Sequence, residues 1–312
     1  MRVGVVVNAN ALGVRRRPGL VDCARELVGQ RGEVVETHSP DELDGVARGF
    51  AERGVELVGI CGGDGTNLAV LTALVGAYRR GGLPRLPLVA LLRGGTVNTV
   101  AQNLGISGAP DELLARLVRD LDERTLRTRP QDLLEVNGRF GFLFAAAMGA
   151  RFLEAYYDTP RPGPMWAGLL AARTVGSSLV TGPFARKLFA PLAVELEVDG
   201  APVPIGPLRL FICSTVPDVG IGMRVAWQAG TVPGRFHLVA SRLSTVAMAL
   251  QLPSVLTGRR LRSWRRDRHL DRLATRVQAR FAEPEVYTFD GELYRERELD
   301  IRIGPRLDIV IA

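Results

Sequence analysis

Lysine is nearly missing from this chain of 312 residues: Lys187 is the only one, although lysine and arginine together number 40. The formal net charge is still +7, so arginine carries the basicity. P-loop and protein-kinase phosphate sites both depend on a dedicated lysine, and none stands near a glycine-rich turn here, which excludes those two schemes. Cysteine is scarce as well. Cys23, Cys61 and Cys213 are odd in number, scattered and free of any C-x-x-C spacing, which predicts reduced thiols in a cytoplasmic protein. The three histidines show no zinc-ligand spacing with one another or with a cysteine. No apolar run reaches the ~18 uninterrupted residues of a membrane span; the nearest, 165–180, is broken by Arg173. The first eight residues run directly into a strand pattern, without the layout of a signal peptide. The arginine excess leaves two classes of acidic partner open, nucleic acid and an anionic membrane surface.

Two short stretches carry most of what is present. Cys61-Gly62-Gly63-Asp64-Gly65-Thr66-Asn67 follows an apolar run with the length and branching of a buried strand (55–60). After it, Leu68, Leu71, Leu74, Val75 and Tyr78 recur at helical spacing. A strand, a glycine-rich turn and a helix together make an anion site. Glycines admit positive φ and close backbone approach, and the first helical N–H groups carry about half a positive charge. Asp64 suits a Mg2+ that bridges a phosphate. A second unit follows: a strand-like run over 86–92, then Arg93-Gly94-Gly95-Thr96-Val97-Asn98-Thr99 and a helical start at Val100. Two neighbouring units of this kind put both turns at the carboxyl edge of one parallel sheet, where α/β proteins bind ligands.

Residues 1 to about 125 alternate strand and helix: strands over 2–8 and 33–37, helices over 19–28 and from Ser39-Pro40-Asp41-Glu42, then the two glycine units and an amphipathic helix over 110–121. Past Arg129 the pattern becomes short strands separated by turn residues, at 133–136, 140–147, 194–198, 208–214, 224–227 and 236–240, with a helical insert over 152–189. Asn137-Gly138, Asp199-Gly200 and Asp290-Gly291 read as two-residue hairpin turns. The fold class is α/β: an N-terminal parallel α/β domain (1–127) and a mainly antiparallel second domain (128–298). The final strand pattern, about 299–312, belongs to either. The arginine-rich stretch 259–272 reads as a solvated face.

These residues resemble the diacylglycerol kinase catalytic-domain superfamily of lipid kinases, which includes bacterial diacylglycerol kinases and sphingosine kinases. Gly62-Gly63-Asp64-Gly65-Thr66 is similar to its nucleotide-binding motif, Gly95-Thr96-Val97-Asn98 to its second motif, and Asp290-Gly291-Glu292 to its C-terminal Asp-Gly-Glu. The resemblance implies a β-sandwich second domain, ATP and Mg2+ as cofactors, and a C-terminal strand that returns to the nucleotide-binding domain. It implies nucleotide contacts at Asn8, Thr37, Gly62, Gly63, Asp64, Gly65, Thr66, Asn67, Gly95, Thr96 and Asn98, and metal contacts at Asp64 and Asp132. It assigns Asp290 to general base and Glu292 to nucleotide–metal positioning. The implied partners are a lipid substrate and an anionic membrane surface approached peripherally from the cytoplasm, with no nucleic acid; a homodimer is compatible. Two positions depart from the pattern. The family's Asn-Pro-x-Ser-Gly is Asn8-Ala9-Asn10-Ala11-Leu12-Gly13 here, and Thr99 stands where an acidic residue is usual. Tyr156, Tyr157 and Trp166 read as packing or membrane-edge residues.

Overall fold

A computed structural model of the protein describes residues 1–83, 85–159, 164–179, 182–261 and 268–311. The chain divides into two compact units. Unit 1 comprises 1–131, 138–141 and 306–312, and unit 2 comprises 132–137 and 142–305.

Unit 1 begins with β1 (Val3–Asn8), α1 (Leu12–Arg15), α2 (Leu20–Val28), β2 (Gly32–Thr37) and α3 (Leu43–Glu52). It continues with β3 (Leu57–Cys61), α4 (Asp64–Arg80), β4 (Leu88–Leu91), α5 (Thr99–Asn103) and α6 (Pro110–Glu123). β1 and β3 are runs of branched residues with almost no exposed surface, as strands covered on both faces must be. They pair in parallel, β2 beside β1, β3 on its other side and β4 beside β3. Helix α4 buries Leu68, Leu71, Leu74, Val75 and Tyr78, and the Tyr78 hydroxyl donates to the Val55 carbonyl at 2.6 Å. At the start of α3 the Ser39 N–H donates to Glu42 Oε1 at 3.1 Å, the backward half of a capping box.

The chain then forms β5 (Thr128–Val136), β6 (Arg139–Gly141), β7 (Leu143–Ala147), α7 (Met148–Tyr157), α8 (Pro164–Leu179), α9 (Pro183–Leu188), β8 (Glu195–Val198), β9 (Ala201–Pro202) and β10 (Leu210–Ser214). There follow β11 (Phe236–Ser241), α10 (Thr245–Ala249), α11 (Leu252–Leu256), β12 (His269–Ala274), β13 (Arg276–Phe289) and β14 (Glu292–Val310). In unit 2 the strand order is β12-β11-β10-β7-β13-β14, antiparallel where the registers are given. β13 pairs with β8 through its first half and with β7 through its last residues. The end of β14 lies in unit 1, where Ile309 pairs in parallel with Val89 of β4. The strand pattern read from the sequence over about 299–312 is therefore the latter part of one longer strand.

The sequence also suggests a strand over 224–227, but this segment is a turn. Its Trp227 helps to satisfy a buried carboxylate. Asp271 of β12, its side chain 1% exposed, accepts from His237 Nε2 at 2.6 Å and from Trp227 Nε1 at 3.4 Å. His269 Nε2 lies 3.6 Å from its other oxygen. Burial alone would raise the Asp271 pKa, but these donors and the nearby histidine charge outweigh it and hold the group below the carboxylate range. The stretch containing Asp271 is thus partly a strand that shields the side chains of His269 and Asp271, not a purely solvated face; residues 262–267 of the arginine-rich stretch lie outside the described residues. Asp271→Asn is expected to cost about 1–3 kcal/mol, because an amide N–H2 then faces a donor. A lowered folded pKa means that the carboxylate's contribution is complete above roughly pH 5 and is lost as the pH falls through and below the ordinary value of ~3.9. Urea melts should therefore show a parent–variant gap at pH 7 that narrows on acidification; a gap unchanged at pH 3 would contradict this.

Candidate functional site

The parallel registers align the strand ends of unit 1. Asn8 is opposite Thr37, Val7 opposite Cys61, and Ile60 opposite Leu91. Asn8, Thr37 and both glycine-rich turns thus leave the sheet at one carboxyl edge, where open α/β sheets bind ligands. Asn8 Nδ2 donates to Thr66 Oγ1 at 2.8 Å, tying the end of β1 to the first turn of α4. Thr37 is buried, with its hydroxyl 3.4 Å from the Val7 carbonyl. Asn10, part of the altered first motif, bridges the loops after β1 and β2 by donating from Nδ2 to the His38 carbonyl at 2.6 Å.

The glycines are needed for a reason other than unusual dihedrals. Gly63 has φ −93°, and the left-handed positions in the second turn are Arg93 (φ 49°) and Asn98 (φ 55°). What glycine permits is contact between the two turns. A Cβ on Gly95 would lie 2.3 Å from Gly63 Cα, and one on Gly94 would lie 2.8 Å from Gly62 N. One on Gly13 would lie 2.5 Å from the Gly94 carbonyl oxygen, which accepts from the Gly13 N–H at 2.9 Å. Three loops meet backbone to backbone, so the late glycine of the altered first motif has a structural use. The signal for Gly13 and Gly94 was only their glycine identity, because the contacts bridge roughly 30 to 80 positions of sequence.

Asp64 fastens this seam. Its carboxylate accepts from the Thr99 N–H at 2.7 Å and the Val100 N–H at 3.2 Å, capping α5 from a distant segment. Desolvation raises the Asp64 pKa, and the two amides with the Thr99 hydroxyl oppose that rise. A second carboxylate at position 99 would repel Asp64; threonine offers it a hydroxyl instead. Asn98, 5% exposed, reads both backbone groups of Gly95, accepting its N–H at 3.0 Å and donating to its carbonyl at 2.8 Å. Asn67 is buried, whereas Thr96 is exposed at the tip of the turn. Asp64 and Asn98 therefore shape the turns. The half-buried backbone of Gly63, Gly65 and Gly95, with Thr66 and Thr96, is the part left to meet a ligand.

The remaining named residues lie in unit 2. Asp290 is 3% exposed at the β13–β14 turn, with φ 46°, followed by Gly291 at 86°. Its carboxylate accepts from the Phe142 N–H at 3.0 Å and the Leu143 N–H at 2.8 Å. Tyr157 donates to the Gly291 carbonyl at 2.6 Å. Glu292 is exposed. Asp132 Oδ2 accepts from the Gly234 N–H at 2.7 Å. Asp199, which the sequence presents as a plain turn residue, also clamps: its Oδ1 accepts from the Thr275 N–H, the Thr275 hydroxyl and the Arg276 N–H at 2.7 to 3.0 Å.

A model of the diacylglycerol kinase catalytic domain matches residues 2–127, the part of the chain that carries both glycine turns. Over that part, less than half of its 312 residues, the chain is similar to the diacylglycerol kinase catalytic-domain superfamily. Its fold is similar, over 100% of its length, to that of a diacylglycerol kinase from Bacillus anthracis str. Sterne (TM-score 0.64, 13% identity, 97% of that chain). It is likewise similar over its whole length to a candidate diacylglycerol kinase from the same organism (TM-score 0.71, 14% identity, 95% of that chain). At these identities the likeness shows the fold. No curated protein matches the sequence.

Lipid kinases of this superfamily imply a nucleotide, and with it a divalent cation. The described residues contain no cluster of three or more His, Cys, Asp or Glu side chains able to hold a metal. Asp64 and Asp132, named for that task from the sequence, each have an oxygen engaged by a backbone N–H. For Asp64 both oxygens are so engaged, the second by the Val100 N–H.

Proposed function

We propose that the protein is an ATP-dependent lipid kinase whose acceptor is a diacylglycerol-like or sphingoid hydroxyl. The observation that carries the reading is the glycine seam: Gly62-Gly63 packed on Gly94-Gly95 at the carboxyl edge of a domain matched by the diacylglycerol kinase model. Backbone N–H groups in such a seam meet phosphate oxygens without intervening side chains. The acceptor oxygen attacks the γ-phosphorus, the bond to the β–γ bridging oxygen breaks, and ADP leaves. Asp290 takes the proton from the lipid hydroxyl, and Glu292 helps to position the nucleotide. Proton transfer of this kind is worth on the order of 10²–10⁴ in rate.

A lipid acceptor is supported by exposed apolar side chains on the helices of unit 2: Met165 (78%) and Leu169 (58%) on α8, Leu250 (67%) after α10, and Leu256 (51%) on α11. Among the described residues no helix is long and apolar enough to cross a membrane, which agrees with approach from one side. Further apolar side chains of α8 could line an acyl passage: Leu170 is core and Leu169 exposed, and those of Val175 and Leu179 lie outside the described residues. Peripheral attraction to an anionic surface rests on arginines including Arg268; Arg262, Arg265 and Arg266 are likewise outside the described residues. ADP release should therefore rise when acceptor lipid is presented in anionic vesicles and fall in high salt, where the Debye length shrinks to ~3 Å. Equal release with soluble NAD and no response to vesicles would instead indicate a nucleotide kinase.

One observation favours a second reading, nucleotide binding without transfer: Asp64 and Asp290 both use their carboxylates on backbone amides. ATP binding with no turnover on any lipid would support it.

A further inference from the structure

Arg93 has two features that the rest of the seam does not explain. It holds φ 49°, a conformation L side chains rarely adopt, although its neighbours Gly94 and Gly95 could have taken it. Its Nε is buried and has no hydrogen-bond partner among the described residues. A buried guanidinium N–H without an acceptor is costly, and such an orphan in a folded protein calls for a missing ion or ligand. Three other arginines of unit 1 lie beside carboxylates: Arg17 by Asp111 at 3.6 Å, Arg31 by Asp122 at 2.8 Å and Arg53 by Glu33 at 2.7 Å. Arg93 lies two residues past the end of β4, next to Gly94, which meets Gly13 and Gly62. The only lysine of the chain is Lys187, in α9.

We propose that Arg93 is the cationic phosphate-binding residue of the seam, its guanidinium taking oxygens of a polyphosphate alongside the glycine-turn amides. This rests on the nucleotide-binding reading of the same turns, and it names the group that neutralises the anion in place of a lysine. A planar guanidinium suits this use, because its donors match pairs of phosphate oxygens and its charge persists at any working pH. The left-handed backbone then has a purpose, since it aims a side chain from a position where the flanking glycines bring none.

The test is calorimetric titration of the full chain and of Arg93→Gln, Arg93→Lys and Arg93→Gly with MgATP, adenosine and inorganic tripolyphosphate, alongside thermal melts. Arg93→Gln is expected to weaken MgATP and tripolyphosphate by on the order of 10- to 100-fold while leaving adenosine unchanged. Lysine should restore part of the loss. Arg93→Gly removes the backbone strain, so it should melt no lower than the parent yet bind tripolyphosphate as poorly as the glutamine variant. A merely structural arginine would give the opposite pairing, with a lower melting temperature and parental anion affinity. Unchanged ATP and tripolyphosphate affinity in both variants overturns the inference and leaves the kinase reading standing. Tripolyphosphate binding that depends on Arg93, with no nucleotide binding by the parent, sustains the anion site and overturns the kinase reading. A parent that binds neither overturns both.

Discussion

Asp290→Asn is expected to lower turnover by about two to four orders of magnitude, the range for removing a general base. The structure adds a second expected effect. The Asp290 carboxylate accepts backbone N–H groups of Phe142 and Leu143, so the asparagine Nδ2 would face a donor, at a cost of roughly 1–3 kcal/mol in stability. Nucleotide affinity should be retained, since the change leaves the glycine-turn amides untouched and asparagine keeps the size of the side chain. The necessary comparison is Asp199→Asn, which loses a carboxylate clamp on Thr275 and Arg276 at the same kind of Asp-Gly turn. Both variants should melt lower, and only Asp290→Asn should lose turnover beyond what its folded fraction explains. If the two lose activity alike, Asp290 is a clamp and the base lies elsewhere.

Gly95→Val is expected to remove nucleotide binding and to destabilise unit 1 by about 3 kcal/mol or more. Its Cβ would lie 2.3 Å from Gly63 Cα and 2.9 Å from Asn98 Oδ1, inside contact distance of a facing backbone and of a buried side chain. Overpacking usually costs about 1–3 kcal/mol, and opposed backbone falls at or beyond the upper end. Gly63→Ala is the graded partner: its Cβ meets only Gly95 Cα, at 3.3 Å, so a small local shift accommodates it. Urea melts and ATP titrations should rank Gly95→Val far below Gly63→Ala. Equal effects would mean that the glycines serve the ligand and not the joining of the turns.

That distinction marks how far the sequence could be read. The alternation of strands and helices in unit 1 was legible because branched apolar runs such as Val5-Val6-Val7 and Val58-Gly59-Ile60 have few alternatives to a covered parallel strand. The positions of the glycine turns were legible too. Their purpose was not, because the Gly63–Gly95 approach and the Asp64 clamp on Thr99 and Val100 join segments more than 30 residues apart. The three hairpin turns were readable from Asn-Gly and Asp-Gly, and each has two successive left-handed residues. β12 was hidden because His269 and Asp271 place buried polar groups where alternation would ask for apolar ones. The 224–227 segment misled for the complementary reason, since an apolar pattern there serves a packed turn in which Trp227 reaches Asp271. Arg93 gives no signal at all in a sequence rich in arginine; only its backbone and its unpartnered Nε single it out.

The central claim, phosphoryl transfer from ATP to a lipid hydroxyl, is tested most directly by incubating the full chain with γ-³²P-labelled ATP and a total lipid extract in anionic vesicles. The extract is then partitioned into chloroform. Label should move into the organic phase with the parent protein, stay at background with Asp290→Asn, and fall with rising salt. Label that remains wholly in the aqueous phase, while the same protein binds ATP, would contradict the claim.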